Sequence, residues 1–150
     1  MRVAIASDHA GFEQKQMLAD FLAQELDVDV QDLGPATDDR VDYPDYAEKV
    51  AHAVASGDAD RGVLVCGTGI GMALAADKVA GIRAASIVTS DFADLFRRHN
   101  DGNVICLSGR FTDPEVNKEI LRVFLSTDFE GGRHAQRVAK VMDLDQGNTD

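Results

Sequence analysis

Gly62-Val63-Leu64-Val65-Cys66-Gly67-Thr68-Gly69-Ile70-Gly71, running on into Met72-Ala73-Leu74-Ala75-Ala76, carries the strongest structural signal in the chain. Its short valine-rich apolar run reads as a buried strand. The run ends on a single cysteine, a loop with glycine at every second position follows, and an alanine- and leucine-rich helix-forming segment comes next. That order sets a polarisable nucleophile at the carboxyl end of a strand, beside the N-terminus of a helix. Backbone N–H groups there favour negative charge, either a bound anion or a thiolate.

The same alternation extends outward in both directions. Residues 2–7 read as a first strand, and Leu18, Phe21 and Leu22 then recur at helical spacing. Residues 28–33 alternate apolar and acidic side chains, as an edge strand does. A polar loop over 34–44 holds two of the three prolines, and Ala47, Val50, Ala51 and Val54 share one face of a helix over 46–55. The third strand is 62–66 with its helix over 69–78. A fourth strand, 83–88, leads to a helix starting near Ser90, the expected N-cap. The fifth strand is 104–107. Pro114 suits the first turn of a helix reaching about residue 126. A last helix is expected over 132–142, and the polar tail 146–150 is expected to fray.

Strands alternating with helices predict an α/β fold: one domain over 1–145, a three-layer α/β/α sandwich around a five-stranded parallel sheet. The expected strand order is flavodoxin-like, 2-1-3-4-5. Ligands of such sheets bind beyond the strand carboxyl ends where the order reverses, here between the first and third strands. Ser7-Asp8-His9 would then face Cys66-Gly67-Thr68.

At 150 residues the chain can bury a substantial core. Its net charge of -11 argues against a nucleic-acid surface. No apolar run has the length of a membrane span, and the start does not read as a signal peptide. Cys66 and Cys106 lack metal-ligand spacing and read as reduced thiols of a cytoplasmic protein. Against so acidic a field, an anionic ligand needs locally concentrated cations. Arg97-Arg98-His99 and Arg133-His134 with Arg137 supply them.

Each feature also has a plainer reading. Gly67-x-Gly69-x-Gly71 is neither a dinucleotide fingerprint nor a Walker loop, and a tight turn alone would explain it. Cys66 before it and Thr68 within it favour chemistry. Cys106 fits a small buried apolar side chain, and His52 an exposed position on an amphipathic helix. His99 ends a helix, where a dipole partner is as natural as an acid–base group. Arg133 and Arg137, four apart, form either a solvated basic face or a phosphate clamp behind Gly131-Gly132. No histidine spacing suggests a metal site.

Six ordered motifs carry a resemblance: Ser7-Asp8-His9-Ala10-Gly11-Phe12, Asp42-Tyr43-Pro44-Asp45-Tyr46, Cys66 through Gly71, Arg98-His99-Asn100-Asp101, Ser108-Gly109-Arg110 and Glu130-Gly131-Gly132-Arg133-His134. Over residues 1 to about 142 the chain closely resembles the type B ribose-5-phosphate isomerases, whose family includes galactose- and allose-6-phosphate isomerases. The resemblance implies a metal-free, cofactor-free aldose–ketose isomerase, homodimeric or tetrameric, with active sites shared between subunits and the last helix packed on a partner. It makes Cys66 the base that shuttles a proton between C1 and C2, and Thr68 the hydroxyl that moves protons between the sugar oxygens. It makes Gly67, Gly69, Ile70 and Gly71 the anion hole and His99 the ring-opening group, with Asn100 beside it. Asp8 and Tyr43 match sugar contacts. His9, Arg110, Arg133 and Arg137 match the phosphate-binding group. Some relatives use a glutamate on the helix after the glycine loop, but here no acid precedes Asp77, so Cys66 is the base candidate. Galactose-6-phosphate isomerases divide the site between two different chains, whereas every element is present in this one. Ribose 5-phosphate is the expected substrate; other six- or four-carbon sugar phosphates and a non-catalytic phosphate-binding module are the alternatives. A receiver-like signalling domain would need an acidic pair and a distal lysine that the sequence lacks.

Overall fold

The computed structural model describes residues 1–148, with side chains through residue 146. The strands are β1 (Arg2–Ser7), β2 (Asp29–Asp32), β3 (Arg61–Cys66), β4 (Ala84–Ser86) and β5 (Val104–Ser108). The helices are α1 (Phe12–Gln24), α2 (Tyr43–Ala55), α3 (Ile70–Ala76), α4 (Ser90–Asn100), α5 (Pro114–Ser126) and α6 (Arg133–Asp143), closed by a 3-10 turn over Leu144–Asn148. That turn takes up the first part of the tail expected to fray; residues 149–150 lie outside the described residues.

All four strand pairings are parallel, and the five strands form one sheet. Side chains alternate between its faces, as the period of two requires. Val3, Ile5, Val63, Val65, Ile105 and Leu107 pack against apolar residues of α1, α4 and α5. Ala4, Ala6, Leu64, Cys66, Val104 and Cys106 face α2 and α3. The expected three-layer sandwich is therefore present, with helices on both faces.

The strand order is β2-β1-β3-β5-β4, so the last two strands are exchanged relative to the expected 2-1-3-4-5. Adjacency in sequence is only a tendency, and side-chain chemistry overrides it here. All of β5 is buried and it suits an interior position. β4 shrinks to three half-buried small residues, which suits an edge. The reversal between β1 and β3 is as expected.

Two helix starts also differ from expectation. α2 begins at Tyr43, because Pro44 fits the first turn and Asp42 takes the N-cap position; Tyr43 is thus helical rather than part of the loop. α4 is capped by Thr89, whose hydroxyl accepts the Phe92 N–H at 3.2 Å, instead of by Ser90. Toward the β4 edge the surface is apolar. Ile70 and Leu74 on α3, Val88 after β4, and Phe92 and Leu95 on α4 are all exposed. α6 adds little to the core: of its 11 residues only His134 is buried.

Candidate active site

Three loops meet at the carboxyl ends of the central strands. The Asp8 N–H donates to the Val65 carbonyl at 3.2 Å, which seats the loop after β1 against the end of β3. Gly11 makes that approach possible, because a Cβ there would stand 2.3 Å from the Val65 oxygen. Asp8, itself buried, accepts the Gly11 N–H at 2.9 Å and closes the turn. The facing of Ser7-Asp8-His9 and Cys66-Gly67-Thr68 is thus as expected. The loop after β5 joins them: Gly109 N–H donates to the Cys66 carbonyl at 2.8 Å, and Arg110 N–H to the Gly67 carbonyl at 3.2 Å.

Cys66 is 5% exposed, and its sulfur accepts the Gly69 N–H at 3.1 Å. A backbone N–H aimed at sulfur complements negative charge on it. Cys106 is fully buried, and burial pushes its thiol pKa well up, so it stays protonated and inert. Gly69 adopts φ 82°, and a Cβ there would come 3.1 Å from the Cys106 carbonyl oxygen. Glycine alone permits this tight path around the sulfur. Thr68 is exposed and its hydroxyl accepts the Ile70 N–H at 3.1 Å.

Tyr43 lays its ring on the loop: a Cβ at Gly71 would lie 2.8 Å from two ring carbons. Arg110 lies over Gly67, where a built Cβ would be 3.5 Å from Arg110 Cδ and 3.6 Å from Nη1. His9 Nδ1 accepts the Val41 N–H at 3.3 Å, tying the 34–44 loop to the site. The same loop is anchored by Lys15, 1% exposed, whose Nζ reaches both Asp32 carboxylate oxygens at 2.9 Å and the Pro35 carbonyl at 3.0 Å. The sequence reading overlooked Lys15, although it lies three and seven residues before Leu18 and Leu22 on the apolar face of α1.

Cys66, Thr68, Gly67, Gly69, Ile70, Gly71, Asp8, His9, Tyr43 and Arg110 therefore come together at one end of the sheet. His99, Asn100, Arg133 and Arg137 do not join them. His99 and Asn100 close α4, which runs back to the amino ends of the strands: Asn103 accepts from Gly62 and Arg83 there. Four residue steps along β5 separate Val104 at this end from Ser108 beside Cys66, roughly 13 Å of strand. His99, Asn100, His134 and Arg137 line a cavity of about 620 Å³ with Phe96, Ile82 and Val141. Arg133 starts α6 beside them.

The His99 and His134 rings are stacked, centroids 4.2 Å apart and planes 15° apart. Burial, then His99 and Arg133, push the His134 pKa down, against Glu130, which raises it. His99, Glu130 and His134 hold donor atoms within 4.8 Å of one another, a set a transition metal could use. Stacked rings, however, aim their in-plane lone pairs side by side rather than at one point. Glu130 also lies 3.8 Å from Arg98. With Arg133 and Arg137 adjoining, the cluster suits an anion better than a cation.

A protein-family model described as Ribose/Galactose Isomerase matches residues 3–141. The chain belongs to the ribose/galactose isomerase family. Within that family it is 43% identical over 145 residues to ribose-5-phosphate isomerase B of Escherichia coli (strain K12), covering 97% of each. The solved ribose-5-phosphate isomerase B of Clostridium thermocellum matches with a TM-score of 0.96 at 42% identity, covering 99% of this chain and 100% of that one. The Mycoplasma genitalium enzyme, solved with bound ribulose-5-phosphate, matches at TM-score 0.91 and 42% identity, covering 97% and 96%. The ribose/galactose isomerase family likeness thus runs through both clusters, although one chain holds them at opposite ends of its sheet.

Proposed function

We propose that this chain is an aldose–ketose isomerase interconverting D-ribose 5-phosphate and D-ribulose 5-phosphate through ring opening and a cis-enediolate, with neither metal nor cofactor. The observation that carries the reading is Cys66 at the end of β3, its sulfur accepting the Gly69 N–H inside a glycine loop. The imidazole of His99 moves the proton that opens the furanose, since one ring nitrogen can donate while the other accepts. The Cys66 thiolate then takes the C2 proton of the aldose and returns it to C1. Thr68 passes a proton between O1 and O2. Backbone N–H groups from Gly67 to Gly71 stabilise the enediolate oxygen where its charge develops. Asp8, Tyr43 and Asn100 hold the open sugar. His9, Arg110, Arg133 and Arg137 bind the phosphate, remote binding energy that orients C1 and C2 against the sulfur.

One chain cannot assemble this set, because its two clusters lie at opposite ends of the sheet. We take the working form to be a homo-oligomer, dimer or tetramer, in which α6 and the end of α4 pack against the glycine loop of a second copy. Its sites are then shared. Two buried free thiols suit a cytoplasmic setting. Among the described residues no helix is long and apolar enough to cross a membrane.

The test is an isomerase assay in chelator-treated buffer, offering ribose 5-phosphate beside allose, galactose and erythrose phosphates. Preference for the five-carbon sugar is expected, and Cys66→Ser should abolish turnover while inorganic phosphate still binds. Preference for another sugar keeps the chemistry and changes the substrate, with the 34–44 loop and Tyr43 as the elements that set its length. Phosphate binding without turnover of any sugar would make the protein a binding module.

A further inference from the structure

Two buried amides sit behind the turn between β5 and α5. Gln14 on α1 is 5% exposed and Asn117 on α5 is fully buried. Gln14 Nε2 donates to the Gly109 carbonyl at 3.0 Å and to the Thr112 carbonyl at 2.8 Å. Asn117 Nδ2 donates to Gln14 Oε1 at 2.8 Å and to the Ser108 carbonyl at 3.0 Å. Their acceptors are all oxygens, so the amide orientations are fixed by the network. Three carbonyls of the turn between β5 and α5 are thereby pinned from the core side.

The front of that turn is fixed to the glycine loop. Ser108 Oγ donates to the Gly67 carbonyl at 2.7 Å and accepts the Phe111 N–H at 3.0 Å. Gly109 and Arg110 donate to the Cys66 and Gly67 carbonyls. Gly109 packs so closely that a Cβ would stand 3.1 Å from Gly11 Cα. The backbone that carries Arg110 is thus held from both sides, and its side chain lies over Gly67. Stability alone does not account for the amides. Asn117 Oδ1 has no hydrogen-bond partner, an expense that an apolar pair of similar volume would avoid.

We infer that Gln14 and Asn117 are positioning residues for Arg110, fixing its guanidinium in advance for the anionic end of the substrate. This deepens the isomerase reading and rests on its placing of the phosphate at Arg110. A guanidinium held in its bound geometry loses less freedom on binding, so the gain appears as affinity rather than turnover.

Gln14→Met keeps length and packing but removes both donors. The expected result is a KM for ribose 5-phosphate and a calorimetric Kd for inorganic phosphate raised roughly fivefold or more, with kcat within about twofold. Combined with Arg110→Ala, Gln14→Met should add nothing further to either constant. Melting temperatures establish that each variant is folded, and Asn117→Ala replaces Gln14→Met if that variant does not fold. Unchanged constants in a folded variant, or an equal increase without Arg110, would overturn the inference. So would phosphate affinity indifferent to Arg110→Ala. If the wild type binds phosphate through Arg110 yet isomerises nothing, the function reading fails, while the same cycle on phosphate affinity still decides the positioning role.

Discussion

His134 is a histidine held in its neutral form by its surroundings. Burial, the stacked His99 ring and Arg133 all disfavour its protonation, and Glu130 opposes them only in part. A folded pKa below the unfolded value near 6.5 means that the folded state binds the proton less well. The stability this contributes is full above about pH 6.5 and is lost as pH falls through that value toward the lowered one. Denaturant midpoints should therefore drop on acidification from pH 7 to 5, and drop less in His134→Phe, which keeps a ring against His99. Parallel slopes would show that His134 titrates alike in both states. Cys66 and the Arg133–Arg137 pair were legible in sequence because their types are unusual for their positions, a cysteine before alternating glycines and an arginine pair in an acidic chain. Asp8, Tyr43, Asn100 and Arg110 were given their roles only through the family resemblance. Lys15, Gln14 and Asn117 were not read. Each shares a helical face with apolar residues, as Asn117 does with Ile120, Leu121 and Phe124, and a polar side chain on such a face declares its partners only once the fold supplies them.

Helices and strands of this chain were mostly visible from periodicity, and the errors fall where two signals compete. Thr89 and Ser90 are both good caps. The structure gives the role to Thr89, since its extended backbone and its bond to the Phe92 N–H leave Ser90 as the first helical residue. Thr89→Ala should cost about 1 kcal/mol, seen as a melting temperature lower by roughly 2–4 °C, whereas Ser90→Ala should be nearly neutral. Reversed effects would return the cap to Ser90. The exchange of β4 and β5 has a similar origin. Residues 83–88 read as a longer strand than residues 104–107, yet only three of them pair, with β5. Sheet order depends on which strand can bury both faces, and a β-propensity run does not record that.

Across the molecule, the two residue clusters predict a particular arithmetic. Chains carrying Cys66→Ser and chains carrying His99→Asn are each expected to be inactive. Mixed and re-associated as dimers, half the dimers should be hybrids, each with one intact and one doubly altered site. Activity should then recover to roughly a quarter of wild type. No recovery, with subunit exchange shown by mass, would place both residues in one chain's site. The sequence motifs offered these residues as one set, and the structure separates them within a chain. The separation follows from helix direction: α4 returns to the amino ends of the strands and carries His99 away from Cys66.

The exposed row of Ile70, Leu74, Val88, Phe92 and Leu95 bears on how the protein is made. If the proposed homo-oligomer covers it, a newly synthesised chain would show this apolar edge to its surroundings from the moment it folds until it meets a second copy. Assembly would then be the last step of maturation. An excess chain left alone would be a natural client for chaperones and proteases, so the cell's pool of this protein would be trimmed to what has found a partner.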